Sequence, residues 1–359
     1  MIDVRPVLIM AGGTGGHVFP ALAVADELRL RGVPVIWLGT KAGIESRLVP
    51  QAGYPVEWLS ITGLRGKNAM TLLLAPIRLV IACWQALGVL SRRKPCAVLG
   101  MGGFASGPGG LMAWLIRKPL LVHEQNAIPG LTNKILARLA TVILQAFPGV
   151  FKNAVTTGNP VRKSICELVK PEERLVNRHG NLRLLIIGGS LGAVKLNEIL
   201  PQAVSQIAKA QRPEVIHQTG MKNIESAKTL YKEAGVDARV EAFIDDMPSV
   251  YEWADLVICR AGAMTVFELA AAGIASILVP YPYAVDDHQT HNAKYLEHVG
   301  AAIIQQQDEL TPEWLVKVIK DFSANREKLL SMAVAARRMA IPGSAKKIAD
   351  ACLSAGGIA

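Results

Sequence analysis

Two apolar runs that stop at glycines, about 175 residues apart, constrain this chain more than anything else in it. Val7-Leu8-Ile9-Met10-Ala11 runs into Gly12-Gly13-Thr14-Gly15-Gly16-His17, and Leu184-Leu185-Ile186-Ile187 runs into Gly188-Gly189-Ser190-Leu191-Gly192. Each reads as a buried parallel strand, a tight turn and the start of a helix. Such a turn aims bare backbone N–H groups and a helix dipole at one spot, which suits a phosphate or another anion. A single turn of this kind also arises from packing alone. Two of them, with a third glycine-rich stretch at Gly100–Gly110, point to two Rossmann-like halves facing each other across a cleft.

The rest of the chain agrees with an α/β architecture. At 359 residues it is too long for one ordinary core and comfortable for two. Apolar runs alternate with helical patterns. Strand candidates in the first half are Val7–Met10, Val35–Leu38, Ala97–Gly100, Leu120–His123 and Thr141–Leu144. In the second half they are Leu184–Ile187, Glu214–Thr219, Arg239–Ala242, Leu256–Cys259, Ser276–Val279 and Ala302–Ile304. Thr157-Gly158-Asn159-Pro160-Val161-Arg162 reads as the crossing between halves, because Gly-Asn-Pro cannot continue a helix. The polar stretch Lys170–Asn181 reads as a surface excursion. A last helix, roughly Ala345–Ser354 with Ser344 as its expected cap, has no strand after it and is free to pack on either half.

Charge and cysteine usage narrow the partners. Lys and Arg exceed Asp and Glu by 39 − 29 = 10, which suits nucleic acid, an anionic lipid surface or a polyanionic small molecule. Aromatics make up only 5%, and no compact basic run is interleaved with them, which counts against a nucleic-acid groove. Five scattered cysteines (Cys83, Cys96, Cys166, Cys259, Cys352), none in a C-x-x-C pair, fit a reducing cytoplasm. The amino terminus lacks the basic start and uninterrupted apolar stretch of a signal peptide. Met70–Leu90 is long and apolar enough to resemble a membrane span, but Arg78 near its middle would be costly in hydrocarbon. Two readings remain for it. It is either a core helix or a partly exposed surface on which Leu74, Ile77, Ile81, Trp84 and Gly88 fall at helical spacing. In the second case Arg65, Lys67, Arg78, Arg92, Arg93 and Lys94 surround the stripe, which suits an anionic membrane face.

Several residues have the chemistry and position for catalysis. His17 closes the first glycine turn at a helix start, where the dipole disfavours its charged form. It is either a neutral base or a helix-capping histidine. His123-Glu124-Gln125-Asn126 follows a strand, at the sheet edge where open α/β sheets bind ligands. Cys259–Glu268 reads as strand end, small-residue turn and helix. Its first-turn amides are free for phosphate, and Glu268 lies one turn in, where a carboxylate can hold a ribose diol. Asp286-Asp287-His288-Gln289 offers groups that match sugar hydroxyls. No Asp-x-Asp occurs, so the sequence carries no dedicated metal motif for a nucleotide diphosphate and no sign of a tightly bound cofactor.

In this order the motifs GGTGGHVFP (Gly12–Pro20), GMGGFASGPGG (Gly100–Gly110), HEQNAIPGLTN (His123–Asn133), TGNPVR (Thr157–Arg162), GGSLG (Gly188–Gly192), CRAGAMTVFE (Cys259–Glu268) and DDHQTHNA (Asp286–Ala293) resemble the MurG family of peptidoglycan glycosyltransferases. The resemblance spans essentially the whole chain. It implies a GT-B fold, with two Rossmann-like domains and a deep cleft: 1–160 with the C-terminal helix 341–359 for acceptor and membrane, and 161–340 for the donor. It implies inverting transfer of N-acetylglucosamine from UDP-GlcNAc to lipid I, giving lipid II, at the cytoplasmic face of the plasma membrane. On the donor side Ile244 would hold uracil through its backbone, Glu268 the ribose, and Ser190 with Ala263, Met264 and Thr265 the diphosphate. Val266 and Phe267 of the same motif would adjoin them, Gln289 and the preceding His288 would meet the sugar, and Arg162 the nucleotide. Thr14, Gly15, Gly16 and Asn126 would approach from the first domain, where Gly13, Gly102 and Gly103 would cradle the acceptor pyrophosphate and His17 would be the base. The polyprenyl acceptor would bring the Leu74, Ile77, Arg78, Ile81 and Trp84 surface, with Trp114 nearby, against an anionic membrane. Other wall-synthesis proteins are implied partners; nucleic acid is not. One position departs, since His288 stands where some members have Gln.

Other readings have weaker support. A second GT-B transferase acting on a membrane lipid fits the fold but not the details of Thr157–Arg162 and Cys259–Glu268. A nicotinamide-dependent dehydrogenase predicts an acid at the end of the second strand, which instead ends Trp37-Leu38-Gly39-Thr40. A peripheral membrane scaffold without turnover does not explain polar clusters at three separate strand ends.

Overall fold

The computed structural model describes residues 5–61, 74–176, 178–189 and 192–358. The chain forms two compact units, one running to Val161 and resumed from Gly343, the other spanning Arg162–Pro342.

The first unit is built on a parallel sheet of seven strands among the described residues. They are β1 (Val7–Met10), β2 (Val35–Thr40), β3 (Val56–Leu59), β4 (Ala97–Gly100), β5 (Leu120–Glu124), β6 (Val142–Gln145) and β7 (Val155–Thr156), in the order β3-β2-β1-β4-β5-β6-β7. The strands are apolar on both faces because helices cover both. Val7, Ile9, Trp37, Ala97 and Leu99 face the helix Gly15–Leu30, while Leu8, Met10, Leu38 and Val98 face the helices Ala75–Arg93 and Ser106–Leu115. The indole of Trp37 donates to Ala11 O at 2.8 Å, so the largest core side chain leaves no polar atom unsatisfied.

The last helix, Ser344–Ala355, returns to this unit and buries Ile348, Ala349 and Cys352 in the first of those two cores. It packs along Gly15–Leu30, and Arg31 and Asp350 pair at 2.5 Å beside that contact. The expected cap is corrected. Gly343, at φ +71°, occupies the N-cap position, and Ser344 is the buried first residue of the helix.

The second unit repeats the plan with β8 (Arg183–Ile187), β9 (Glu214–Gln218), β10 (Arg239–Glu241), β11 (Leu256–Cys259), β12 (Ala275–Leu278) and β13 (Ala302–Ile304), in the order β10-β9-β8-β11-β12-β13. In both sheets the order reverses between the first strand and the fourth, where the connections leave in opposite directions. That switch point is where an α/β sheet opens a ligand crevice. Met10 lies opposite Gly100 across the first switch, and Ile187 opposite Cys259 across the second.

Two strands are absent from the sequence reading, β3 and β7. Both lie at sheet edges. β3 carries Glu57, which pairs with Arg92 and Arg93, and β7 is two residues long. Lys170–Asn181 is also more than a surface excursion. Pro171 and Arg174 are buried, and the Arg174 guanidinium donates to Ala272 O at 3.0 Å and Gly273 O at 2.5 Å. Burial draws its pKa down to about 10, and it still caps the carbonyl end of the helix Ala263–Ala272 with positive charge.

Met70–Leu90 falls partly outside the described residues. From Ala75 to Arg93 it is a helix that buries Ala82, Ala86, Val89 and Leu90 and turns Ile77, Val80, Ile81 and Trp84 outward, Trp84 being 71% exposed. Among the described residues no helix is long and apolar enough to cross a membrane.

Replacing Ile348 by Ala removes a fully buried side chain from the contact between the returning helix and the first sheet. The expected cost is about 2–5 kcal/mol. Equilibrium urea unfolding, compared with wild type, measures it.

Candidate active site

In the first unit, β1 and β4 flank the switch point, and both end in glycines that pack on each other. A Cβ on Gly103 would lie 2.5 Å from Gly12 O, and one on Gly102 would lie 2.8 Å from the His17 ring. Both glycines also hold positive φ, +93° and +89°, so their lack of a side chain is explained twice. The helix Gly15–Leu30 starts here, with Thr14 at its N-cap making no side-chain cap bond. The amides of Gly15 and Gly16 therefore belong to the unsatisfied first turn of a sixteen-residue helix.

His17 lies in that turn, with Nδ1 3.1 Å from Gly12 O. A carbonyl only accepts, so Nδ1 carries a proton, and in the neutral ring Nε2 keeps its lone pair. That is the form a general base needs. Gly13 is different from its expected role. Its N–H donates to Glu45 Oε2 at 2.9 Å, so this amide is already engaged by the protein's own carboxylate and is not open to a pyrophosphate.

The loop after β5 is organised the same way. Glu124, buried, accepts from the Asn126 N–H at 2.9 Å, the Asn126 side-chain amide at 3.3 Å, the Gly130 N–H at 3.1 Å and Asn133 Nδ2 at 2.9 Å. His123 is fully buried, between Gly158 O at 3.1 Å and Gln125 Nε2 at 3.1 Å, and burial lowers its pKa to about 4. Asn159 Nδ2 reaches Gln125 O at 3.0 Å. Of the four polar residues in a row, three thus form an internal scaffold that ties the loop to Gly158 and Asn159. Asn126 alone is left partly exposed at the edge.

In the second unit, β8 and β11 flank the switch point. Gly188 is crowded by Ala193 N and Gln218 O, at 2.8 and 2.9 Å from where its Cβ would be. Ser190, expected to hold diphosphate, lies outside the described residues. After β11 the helix Ala263–Ala272 begins at Gly262, which has no side chain with which to cap it. The amides of Ala263, Met264 and Thr265 form its open positive end, opposite the end that Arg174 caps.

Glu268 lies on that helix with its side chain 15% exposed. Its Oε2 accepts from the Tyr251 hydroxyl at 3.1 Å, and Oε1 is 3.4 Å from Arg162 Nη2. Burial raises the Glu268 pKa, and the Arg162 guanidinium and the Tyr251 hydroxyl oppose that rise. Burial and the neighbouring carboxylate also push the Tyr251 hydroxyl well up, which keeps it a donor. Tyr251 has no local sequence signal, since it sits seventeen residues away on the helix Met247–Trp253.

Val266 and Phe267 are corrected. Both side chains are buried, and Phe267 stacks on Tyr295 at 5.3 Å between ring centroids, so only the backbone of these two residues is left to adjoin a ligand. Ile244 is buried at the start of the loop after β10. Gln289 accepts from the Tyr281 N–H through Oε1 at 2.9 Å, which leaves its NH2 free to donate. His288 Nδ1 meets Val285 O at 2.8 Å, so in the neutral ring Nε2 is an acceptor. Both follow Asp286 and Asp287, whose φ of +53° and +49° put two non-glycine residues in the left-handed region. Strain of that kind is kept where the surroundings dictate a geometry.

Arg260 is another residue the sequence reading passed over. Its guanidinium donates to Val279 O, Pro280 O and Gln307 Oε1 and lies over the Tyr281 ring, fixing the loop that bears on Gln289. Among the described residues no group of three or more His, Cys, Asp or Glu side chains is arranged to hold a metal ion.

Comparison with known proteins matches these two units. The glycosyltransferase family 28 N-terminal domain fits residues 7–145, and the family 28 C-terminal domain fits residues 183–350. A protein of Marinobacter nauticus is 53% identical, over 98% of each chain, and one of Nitrosococcus oceani is 54% identical over 97% of this chain and 98% of its own. Both are named UDP-N-acetylglucosamine–N-acetylmuramyl-(pentapeptide) pyrophosphoryl-undecaprenol N-acetylglucosamine transferase. The crystal structure of Acinetobacter baumannii MurG is 42% identical and superposes with a TM-score of 0.86, covering 98% of this chain and 99% of its own. The calicheamicin glycosyltransferase CalG4, at 15% identity and a TM-score of 0.69 over 98% of each chain, shares the fold.

The raised pKa of Glu268 has a consequence for stability. Between its unfolded and folded pKa values the folded state binds the extra proton, so this group's contribution is present at low pH and lost as pH rises. Glu268→Gln removes that slope. Its stability relative to wild type is expected to rise as pH increases upward from the ordinary carboxylate range. Urea unfolding through and above that range measures the difference.

Proposed function

The chain belongs to glycosyltransferase family 28, and on that premise we propose the following account of its chemistry. The protein is a GT-B glycosyltransferase of the MurG type. It transfers N-acetylglucosamine from UDP-GlcNAc to the 4-hydroxyl of the N-acetylmuramyl residue of lipid I, with inversion, and the product is lipid II for peptidoglycan.

The observation that carries the donor assignment is the arrangement around Glu268. Held by Tyr251 and Arg162, its carboxylate lies one turn from an uncapped helix N-terminus at the switch point of the second sheet. A nucleoside diphosphate sugar carries a diol and a diphosphate, the two groups that a carboxylate and a helix N-terminus suit. Glu268 accepts both ribose hydroxyl protons, and the amides of Ala263, Met264 and Thr265 take the diphosphate oxygens. Ile244 borders the base, and Gln289 donates to a sugar hydroxyl while His288 accepts from one. Arg162 and the helix N-terminus take up the charge that develops on departing UDP. In this account neither a metal ion nor a tightly bound cofactor takes part.

On the acceptor side, His17 Nε2 takes the proton of the attacking hydroxyl as its oxygen bonds to the anomeric carbon and the bond to the UDP oxygen breaks. Thr14, Gly15, Gly16 and Asn126 line the approach, and Gly102 and Gly103 leave backbone accessible to the acceptor pyrophosphate. Ile77, Ile81 and Trp84 are exposed on one helix, and Leu111, Trp114 and Leu115 on the helix packed against it, and together with Arg78 they supply the surface for the membrane. That surface rests on the cytoplasmic, anionic face of the membrane that holds the lipid acceptor. Each juxtamembrane cation adds roughly 1 kcal/mol there.

Transfer of labelled N-acetylglucosamine from UDP-GlcNAc to a lipid I analogue tests the reaction. Wild type forms the labelled disaccharide lipid. Glu268→Ala loses donor binding and turnover, and His17→Ala lowers kcat by roughly 100-fold or more with donor binding intact. A folded wild type that binds UDP but transfers nothing to this acceptor sinks the assignment. For the membrane surface, Ile77→Glu with Trp84→Glu is expected to abolish sedimentation with anionic vesicles while transfer to a water-soluble acceptor analogue persists.

A further inference from the structure

Three glycines in the first unit, Gly12, Gly39 and Gly43, converge on one side chain. A Cβ on Gly12 would lie 2.4 Å from Glu45 Oε1, one on Gly43 1.9 Å from Glu45 Oε2, and one on Gly39 3.0 Å from Glu45 Cγ. Glu45 is completely buried at the start of the short helix Glu45–Gln51. Its partners are neutral donors. Oε2 accepts the Gly13 N–H at 2.9 Å, and Oε1 accepts the Thr40 N–H at 3.1 Å and the Thr40 hydroxyl at 2.7 Å. Burying a carboxyl group is costly unless its oxygens are satisfied, and here three donors satisfy them.

The three glycines leave room for this carboxyl group, and one of its oxygens reaches the first turn. What the carboxyl group fixes is the Gly12-Gly13 peptide, and that peptide's carbonyl, Gly12 O, is the atom that accepts from His17 Nδ1. Gly103 packs on the same peptide, its notional Cβ 2.5 Å from Gly12 O and 2.9 Å from Gly12 C. The sequence of contacts thus runs from Glu45 through Gly13 and Gly12 to the imidazole.

We infer that Glu45 is a positioning residue for the transfer: by clamping the Gly12-Gly13 peptide it fixes the direction of Gly12 O, which holds His17 in the tautomer and orientation that present Nε2 to the acceptor. This rests on the reading of His17 as the base. Glu45 itself touches no substrate in this account.

The test uses the full chain labelled with 15N-histidine. There are seven histidines, and the His17 signal is the one lost in His17→Ala. Wild type is expected to show His17 as the Nδ1–H tautomer. Glu45→Gln puts an NH2 where an acceptor is needed, so either Gly13 or Thr40 loses its partner. His17 is then expected to shift toward the Nε2–H form that dominates a free imidazole. In the same variant kcat falls by about 10- to 100-fold while KM for UDP-GlcNAc changes less than about 2-fold. Thr40→Ala, which leaves the carboxyl group and removes one donor from Oε1, moves both readouts the same way by less, and it serves if Glu45→Gln does not fold.

An unchanged His17 tautomer in folded Glu45→Gln overturns the inference, as do two unchanged readouts in Thr40→Ala if only that variant folds. A fall in kcat with the tautomer unchanged also overturns it, since that is what a structural role alone would give. If His17→Ala keeps full kcat, the base reading fails on its own, and the tautomer shift still decides whether Glu45 orients this ring.

Discussion

Covering both faces of a parallel sheet is the constraint on which the rest of this molecule depends. Leu8 and Met10 pack on one side of β1 and Val7 and Ile9 on the other, so the strand presents no polar side chain to solvent along its length. Chemistry is forced to the strand ends, and to the C-terminal ends in particular, because there the helices begin and their unsatisfied amides point outward. The reversal of strand order then selects two ends out of many in each sheet. The glycine turns after β1, β4 and β8 and the Gly262 turn after β11 stand at those positions. Their glycines are required by close approach as much as by any ligand: Gly103 against Gly12, Gly188 against Gln218, Gly192 against Thr219.

Three glutamates near these ends use burial differently. Glu45 and Glu124 accept hydrogen bonds from neutral groups and serve as internal acceptors around which a loop takes shape. Glu268 has a tyrosine hydroxyl on one oxygen and a guanidinium at 3.4 Å from the other, with part of its surface still exposed. The first two are fully committed to the protein. The third keeps acceptor capacity in reserve, and the upward pull on its pKa reflects burial that its partners do not fully offset.

What the sequence made legible was whatever announces itself locally. Apolar runs ending in glycine located the central strands to within a residue or two, because a strand buried on both faces has little choice of composition. β3 escaped because an edge strand tolerates Glu57, and β7 because two residues leave no pattern. Glycine turns marked the rims, but the groups that shape those rims were invisible. Glu45 lies thirty-two residues from the amide it holds, and Tyr251 seventeen from the carboxylate it serves. Arg174 was read as solvated from the company it keeps in sequence, yet it is buried because two helix-end carbonyls accept its protons. Val266 and Phe267 were carried into the site by belonging to the motif. Helical periodicity alone separates them from Met264, Thr265 and Glu268, which remain partly exposed.

The return of the helix Ser344–Ala355 to the first unit sets an order on how this polypeptide can mature. Arg162–Pro342 is a continuous stretch and can close its sheet as soon as it has been synthesised. The first unit cannot, although its strands leave the ribosome earlier, because one face of β4 and β6 needs Ile348, Ala349 and Cys352 to cover it. Until those residues emerge, that face, with Cys96 at its margin, stays open to water and to other chains. The half of the protein made first is therefore the half completed last, and a nascent chain stalled after Pro342 would carry one finished domain and one that still needs shelter.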